Sequence, residues 1–170
     1  MNTRLITLIL IIFAIAIFRL MPHPPNVSPV AAMALFGGAY FADKRVAFLV
    51  PFLALLLSDL LIGLHETMIY VYAGFALTVV IGFWIRKRMN FSRITFAVVG
   101  SSVLFFVITN FGAWFTSGLY PMTMDGLMQA YVAAIPFFQN SLLGNMVFAV
   151  LLFGGFALLQ RKVPGMAEHA

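Results

Sequence analysis

Asp59 is the residue of this sequence that most needs explaining. It sits in Leu57-Ser58-Asp59-Leu60, within the otherwise apolar run Val46–Leu64. An ionised carboxylate at mid-bilayer costs on the order of 2.5–3.5 kcal/mol even on lenient insertion scales, so a retained one needs a partner or a wet site. It is either a structural aspartate, protonated or hydrogen-bonded, that braces a helix contact, or an intramembrane polar site toward the outer half of its helix. Asn110, Asn140 and Asn145 follow the same logic more weakly, since amides commonly bond neighbouring helices together. Asn110 and Trp114 are four apart and share a helical face. An amide beside a flat aromatic suits a ligand that is partly polar and partly a ring, although interfacial anchoring explains Trp114, Tyr120 and Tyr131 as readily. His65 opens the turn Leu64-His65-Glu66-Thr67, with Tyr70 and Tyr72 close behind.

Other chemistry is sparse. His65 and Glu66 are adjacent and lack the i, i+4 partner of a metalloprotease helix, and no second histidine or carboxylate stands at metal spacing. Cysteine is absent, which removes disulfides, thiol catalysis and thiolate metal sites. No phosphate loop, nucleophile elbow or carboxylate pair is present. Neither catalysis nor a metal nor a cofactor is expected; an enzyme centred on Asp59 would need a second acid, base or metal within reach.

These residues must be positioned by a chain whose solvent is not water. Of 170 residues, 63% are hydrophobic and 9% charged, far from the mix of an ordinary globular domain. The net charge of +5 does not signal nucleic acid, because the basic residues fall in short groups between apolar runs. A bilayer core of roughly 30 Å needs about 20 apolar helical residues. The candidate runs are Leu5–Leu20, Val30–Phe41, Val46–Leu64, Met68–Ile85, Ile94–Thr116 and Phe137–Leu159. The first resembles a signal peptide in its basic start, but no small-x-small site follows it, so a retained helix is expected. The second is short; Ser28 offers an N-cap with Pro29 at the first helical position, and extension to Asp43 would just let it cross. The expected fold is all-α: a single transmembrane domain over residues 1–170, polytopic, with six helices of which the second is short.

Orientation follows from Lys and Arg, which collect in cytoplasmic loops. With six crossings, Arg4, Lys44, Arg45, Arg86, Lys87, Arg88, Arg93, Arg161 and Lys162 share one side and only Arg19 falls opposite. With a re-entrant second run, Arg4 becomes the exception instead. Both arrangements put the C-terminus inside, and the His65 turn and a long loop Gly118–Pro136 outside. In that loop Thr123 can cap a short helix over Leu127–Ile135, with Asp125 suiting its dipole. The segment Met21–Ser28 is stiff because its prolines fix their own backbone and restrain the residues before them. Ala34, Gly38 and Ala42 form a small-xxx-small stripe that serves tight internal packing or the docking of another subunit.

Several stretches resemble a family of small, largely uncharacterised bacterial membrane proteins. They are Pro25-Asn26-Val27-Ser28-Pro29, Gly37-Gly38-Ala39, Ser58-Asp59-Leu60-Leu61-Ile62-Gly63-Leu64-His65, Thr109-Asn110-Phe111-Gly112, Leu119-Tyr120-Pro121-Met122-Thr123 and Ile135-Pro136-Phe137-Phe138-Gln139-Asn140-Ser141. In size and layout that family is similar to the substrate-binding S components of energy-coupling-factor (ECF) transporters, nearest to the solitary cobalamin-transporting type. The resemblance implies an S-component-like bundle with an outward-opening pocket, closed by Met21–Ser28, Leu64–Thr67 and Gly118–Pro136. Two features differ. The first helix has only Ala14 and Ala16 where S components carry an Ala-xxx-Ala docking pattern, and the cobalt-ligating cysteine of the cobalamin type is missing, with His65 as a replacement nitrogen ligand.

The resulting expectation is a bacterial cytoplasmic-membrane protein that captures a vitamin-like micronutrient, with cobalamin the first substrate named and a corrinoid or other vitamin bound as cargo. The substrate-binding residues expected are His65, Tyr72, Asn110, Trp114, Tyr120 and Asn140. Its partners are the lipid bilayer, the small-molecule substrate and either an energising module or none. The alternative is a non-transporting structural or assembly subunit of a membrane complex.

Overall fold

The computed structural model describes residues 3–163 and Met166. The remaining positions, including the C-terminal residues 167–170 of the single domain expected over residues 1–170, lie outside the described residues. The helices are α1 (Thr3–Ile17, extended by a 3₁₀ turn Phe18–Leu20), α2 (Val30–Tyr40), α3 (Lys44–Ile62), α4 (Met68–Ile85), α5 (Phe91–Thr116), α6 (Met124–Ala149) and, after a π-turn at Val150–Gly154, α7 (Gly155–Lys162). Among the described residues every regular element is helical.

Among the described residues five helical spans are long and apolar enough to cross a membrane, α6 and α7 counting together as one 39-residue rod, Met124–Lys162. Their outward faces carry Leu10, Leu61, Phe91, Phe96 and Val150, each well over half exposed. Apolar surface this continuous is matched to lipid, not water, and the chain reads as a multi-pass membrane protein. Side chains supply the caps where helices start outside the core: Asp43 Oδ1 accepts from Arg45 N at 2.7 Å, Asn90 Oδ1 from Arg93 N at 2.8 Å and Thr123 Oγ1 from Gly126 N at 3.2 Å.

α2 is the exception and the centre. All eleven of its residues are buried, as expected of a helix that is apolar all round. α1, α3, α4, α5 and α6 pack around it. Its length is roughly 16 Å at 1.5 Å per residue, about half a bilayer core. Ser28 does not cap it; Pro29 takes the N-cap position and makes no side-chain hydrogen bond. α2 crosses α4 with backbones in direct contact, since a Cβ on Gly82 would stand 2.7 Å from Gly38 Cα and 3.0 Å from Ala39 N. Ala34 and Gly38 of the small-residue stripe are thus enclosed by the protein's own helices. Arg86 closes the far end of α2, donating from Nη2 to Gly38 O at 2.8 Å and from Nη1 to Ala42 O at 3.0 Å, where the last helical carbonyls lack intrahelical donors.

Arg4 borders the same hollow as Ala42 and Asp43, Arg86 reaches Ala42 and Arg93 sits over Trp84, which defines a basic end of the bundle. α1 and α3 both start there. Between them the chain runs the length of the bundle twice, out as α1 and back as the Met21–Pro29 segment followed by α2. Among the described Lys and Arg, Arg19 is therefore the one at the opposite, proline-rich end.

The expected long loop Gly118–Pro136 is corrected. The connection from α5 to α6 is only residues 117–123, and Leu127–Ile135 is the start of α6, with Pro136 inside the helix. Gly126, Ala130 and Ala134 are buried, and Tyr131 Oη donates to Val107 O on α5 at 2.7 Å. Proline at 136 removes one backbone donor, yet tertiary contacts on both sides of it hold the helix on course.

The Gly38–Gly82 crossing predicts that Gly82→Leu destabilises the protein by about 3 kcal/mol through overpacking. Gly100→Ala, where nothing lies within 4 Å of the new Cβ, should leave stability within about 1 kcal/mol of wild type. Thermal melts in detergent measure both; equal melts for Gly82→Leu and wild type would refute the backbone contact.

Candidate functional site

Asp59 has a partner. Arg19 Nη2 lies 2.6 Å from Asp59 Oδ1, and Tyr72 Oη donates to Asp59 Oδ2 at 2.9 Å. Arg19 Nη1 also donates to Ser58 Oγ and to Leu55 O at 3.3 Å, while Ser58 Oγ donates to Leu55 O at 2.7 Å. Asp59 is 2% exposed and Arg19 13%, so both charges are largely withdrawn from solvent and each depends on the other. The cluster ties the end of α1 to α3 and α4. Both carboxylate oxygens are engaged, which makes Asp59 a brace near the proline-rich end.

Beyond Arg19 the chain turns back into the bundle. Val27 N donates to Pro24 O at 3.1 Å across Pro25-Asn26, and Asn26 has φ 62°. Proline at the second position and a left-handed third residue make a type II turn, and asparagine tolerates that conformation better than most residues. Asn140 Nδ2 on α6 donates to Pro25 O at 3.2 Å and fixes the turn. The next residues press against α6 where it has no side chain: a Cβ at Gly144 would stand 3.3 Å from Val27 Cα and 3.4 Å from Ser28 N. Gly144 is next to Asn145, whose Nδ2 donates to Ser102 Oγ at 3.1 Å. Ser102 lies about 16 Å of helix from Phe91 at the start of α5, close to the middle of the bundle.

Non-helical backbone is therefore carried to membrane depth, which is tolerated only where it is buried in protein or lines a cavity. Both conditions are met. Pro22, Pro24, Pro25 and Pro29 have no N–H, which removes four donors from a stretch of nine residues. The polar groups that remain border two adjoining cavities. One, of about 190 Å³, is lined by residues that include Ser102, Thr109, Asn110, Phe106 and Phe138. The other, of about 170 Å³, is lined by residues that include Arg19, Ser28, Val30, Ala31 and His65. Asn26, Phe105, Ser141 and Asn145 line both. Among the described residues no acidic side chain lines either. A larger groove of about 440 Å³ between α5 and the π-turn is apolar except for Tyr40 and Thr95, and the Thr95 hydroxyl donates to Phe91 O at 2.9 Å; it offers little to orient a polar solute.

The six residues expected to bind substrate are distributed differently. Asn110 lines the first cavity, its Nδ2 donating to Phe106 O at 2.8 Å. His65 lines the second, its Nδ1 2.8 Å from Thr67 Oγ1. Tyr72 holds Asp59 and Asn140 holds Pro25, so these two position the frame of the hollow. Trp114 Nε1 donates to Pro121 O at 2.9 Å, its ring packed beside Phe111 and Phe115; it fastens the 117–123 turn and lines neither cavity. Tyr120 lies in that turn, partly exposed, and lines neither. Among the described residues no three of His, Asp and Glu gather in a metal-holding group.

Asn26, Ser102 and Ser141 were not expected at a site from sequence, and Ser28 was read there only as a helix cap. Serines in apolar helices satisfy themselves on the preceding turn, as Ser141 does with Phe137 O at 3.1 Å, so their presence alone indicates nothing. Arg19 did carry a signal: it was the basic residue that no orientation of a six-crossing chain could bring to the common side, and a lone misplaced charge implies a buried counter-charge.

Removing one member of a buried pair costs more than the pair contributes, because the other charge is stranded. Asp59→Asn should lower stability by roughly 3 kcal/mol or more. The double variant Arg19→Met/Asp59→Leu should lose much less than the sum of its single changes. A double-mutant cycle of melting temperatures tests this, and strict additivity would show that the two side chains do not interact.

The chain matches the family model described as a family of unknown function, DUF6580, over residues 1–166. No curated protein matches it, and no solved structure does. A match across nearly the whole length, covering the extended Met21–Pro29 segment, the Arg19–Asp59 pair and the polar hollow, makes this chain a member of the DUF6580 family.

Proposed function

We propose that this protein is a bacterial cytoplasmic-membrane carrier that binds a small, vitamin-like solute at its proline-rich end and releases it at its basic end, in the manner of an ECF S component. The observation that carries the reading is the pair of adjoining polar cavities, which share Asn26, Phe105, Ser141 and Asn145 and sit beside a helix that begins at mid-depth. Discontinuous helices meeting at the midplane are how many transporters build substrate sites. The basic end collects Lys and Arg and is assigned to the cytoplasm, which puts the C-terminus inside and the cavity mouth outside. Release inward requires the bundle to tilt or the Met21–Pro29 segment to shift. With only Ala14 and Ala16 on α1, solitary action is favoured over docking to an energising module.

The cavity volumes refine the substrate. Drug-sized ligands occupy pockets of roughly 300–1,000 Å³, and the two hollows, at about 190 and about 170 Å³, suit something at or below the bottom of that range. A corrinoid would need a far wider opening, so a single-ring or smaller compound is the better candidate within the vitamin-like class. Gly38 of the stripe that could have docked a partner subunit is packed against α4 and Ala34 is buried within the bundle, which favours the carrier over the assembly subunit.

The absence of native cysteine makes the test direct. A thiol at Ser141→Cys, facing the cavity, should react many-fold faster with a small membrane-impermeant thiosulfonate added from outside than a thiol at Leu143→Cys, which is 62% exposed on the lipid side. Mass spectrometry of the purified protein should find a small molecule that the cavity-filling Ser141→Phe variant lacks. Equal, slow labelling at both positions, with nothing bound, would sink the carrier reading.

A further inference from the structure

We infer that the solute binds with a carbonyl or carboxylate oxygen at the first turn of α2 and an N–H or O–H group at Asn145, and hence that the substrate class is small planar amides and carboxylates, not cations. This rests on the carrier reading and assigns the chemistry of the same cavities.

Two independent observations meet here. The first three N–H groups of α2, on Val30, Ala31 and Ala32, have no intrahelical acceptor, because the helix bonds begin with Met33 N to Pro29 O at 2.8 Å. Pro29 contributes no side-chain cap, and among the described residues none of the three finds another acceptor. Val30 and Ala31 line the second cavity. Helix N-termini carry roughly half a positive charge and accept anionic or carbonyl oxygen. Half-helices that start at membrane depth use this end to hold substrate carboxylates.

Asn145 supplies the second point. It is 6% exposed, lines both cavities and gives its Nδ2 to Ser102, while its Oδ1 has no partner. A buried amide oxygen left unpaired costs desolvation energy, and turning the amide over would only leave the nitrogen unpaired in its place. A ligand donor relieves this, and the site is then satisfied in both senses, donors at α2 and an acceptor at Asn145.

Charge and shape narrow the class. Arg19 is matched by Asp59 and among the described residues no acid lines either cavity, so none of them offsets the desolvation of a cation, while the α2 terminus repels it. Phe105 borders both cavities, and Phe106, Phe137 and Phe138 line the wider one, giving a flat ring apolar walls beside the polar points.

Benzamide, benzoate and benzylammonium share a ring and differ in charge and hydrogen bonding, so their radiolabelled forms are apt probes for the purified full chain. Benzamide should bind wild type at least about tenfold more tightly than benzylammonium, and Asn145→Leu should cut benzamide binding about tenfold. Asn145→Asp places an anion in the site; it should weaken benzoate more than benzamide and raise benzylammonium binding, a gain that an unfolded variant cannot produce. The inference is overturned if benzylammonium rivals benzamide in wild type, if Asn145→Leu binds benzamide normally, or if neither benzamide nor benzoate binds. A cavity open to the thiosulfonate at position 141 that prefers benzylammonium overturns this substrate class alone. A cavity closed to that reagent removes the carrier reading with it.

Discussion

A membrane-embedded backbone must find partners for its own N–H and C=O groups, and that requirement organises this molecule around α2. A complete helix satisfies them internally. α2 stops after eleven residues, so the other half of that pass is made by extended chain that must be compensated from outside. Four prolines remove donors, a type II turn pairs Val27 with Pro24, and Asn140 covers the Pro25 carbonyl. What is left over is a polar-lined hollow at mid-depth in an apolar bundle.

Two kinds of contact keep that hollow from collapsing. At the basic end, α2 and α4 touch backbone to backbone through Gly38 and Gly82, and Arg86 ties the α2 carbonyls to α4. Toward the proline-rich end the Arg19–Asp59–Tyr72 cluster fixes where α1 ends and where the extended segment begins. Burying that ion pair is not in itself a source of large stability. Its value is positional, because it joins the end of α1 to α3 and α4 just before residues 21–29 begin. Tyr72 and Asn140, expected to touch a substrate, hold Asp59 and the Pro25 carbonyl in this frame, while His65 and Asn110 line the cavities.

How much of the site was legible depended on whether a residue's partner was local. Thr123 was readable as a cap because the N–H it serves is three residues away. Asp59 was readable as anomalous from its apolar surroundings, but its partner is forty positions distant, and nothing in the spacing connects them. Pro136 was read as a loop residue because proline usually ends a helix; packing of Ala130, Ala134 and Tyr131 on α5 overrode that preference. Trp114 and Asn110 do share a helix, yet four residues of helical rotation do not ensure a common neighbour, and Trp114 turns to Pro121.

Composition and the apolar runs determined by themselves that this chain is an all-helical, multi-pass membrane protein with one short segment, because burying backbone in lipid permits few alternatives. They also determined which end is basic and that Asp59 was out of place, with Arg19 the exception to the charge pattern only where the second run crosses. Only the tertiary structure decided that these two belong to each other, that Ala34 and Gly38 of the small-residue stripe pack inward, and that Asn26, Ser28, Ser141 and Asn145 gather at one hollow. The physical reason is that a cavity belongs to surfaces from distant parts of the chain meeting imperfectly, and hydropathy along a single segment carries no record of what will face it.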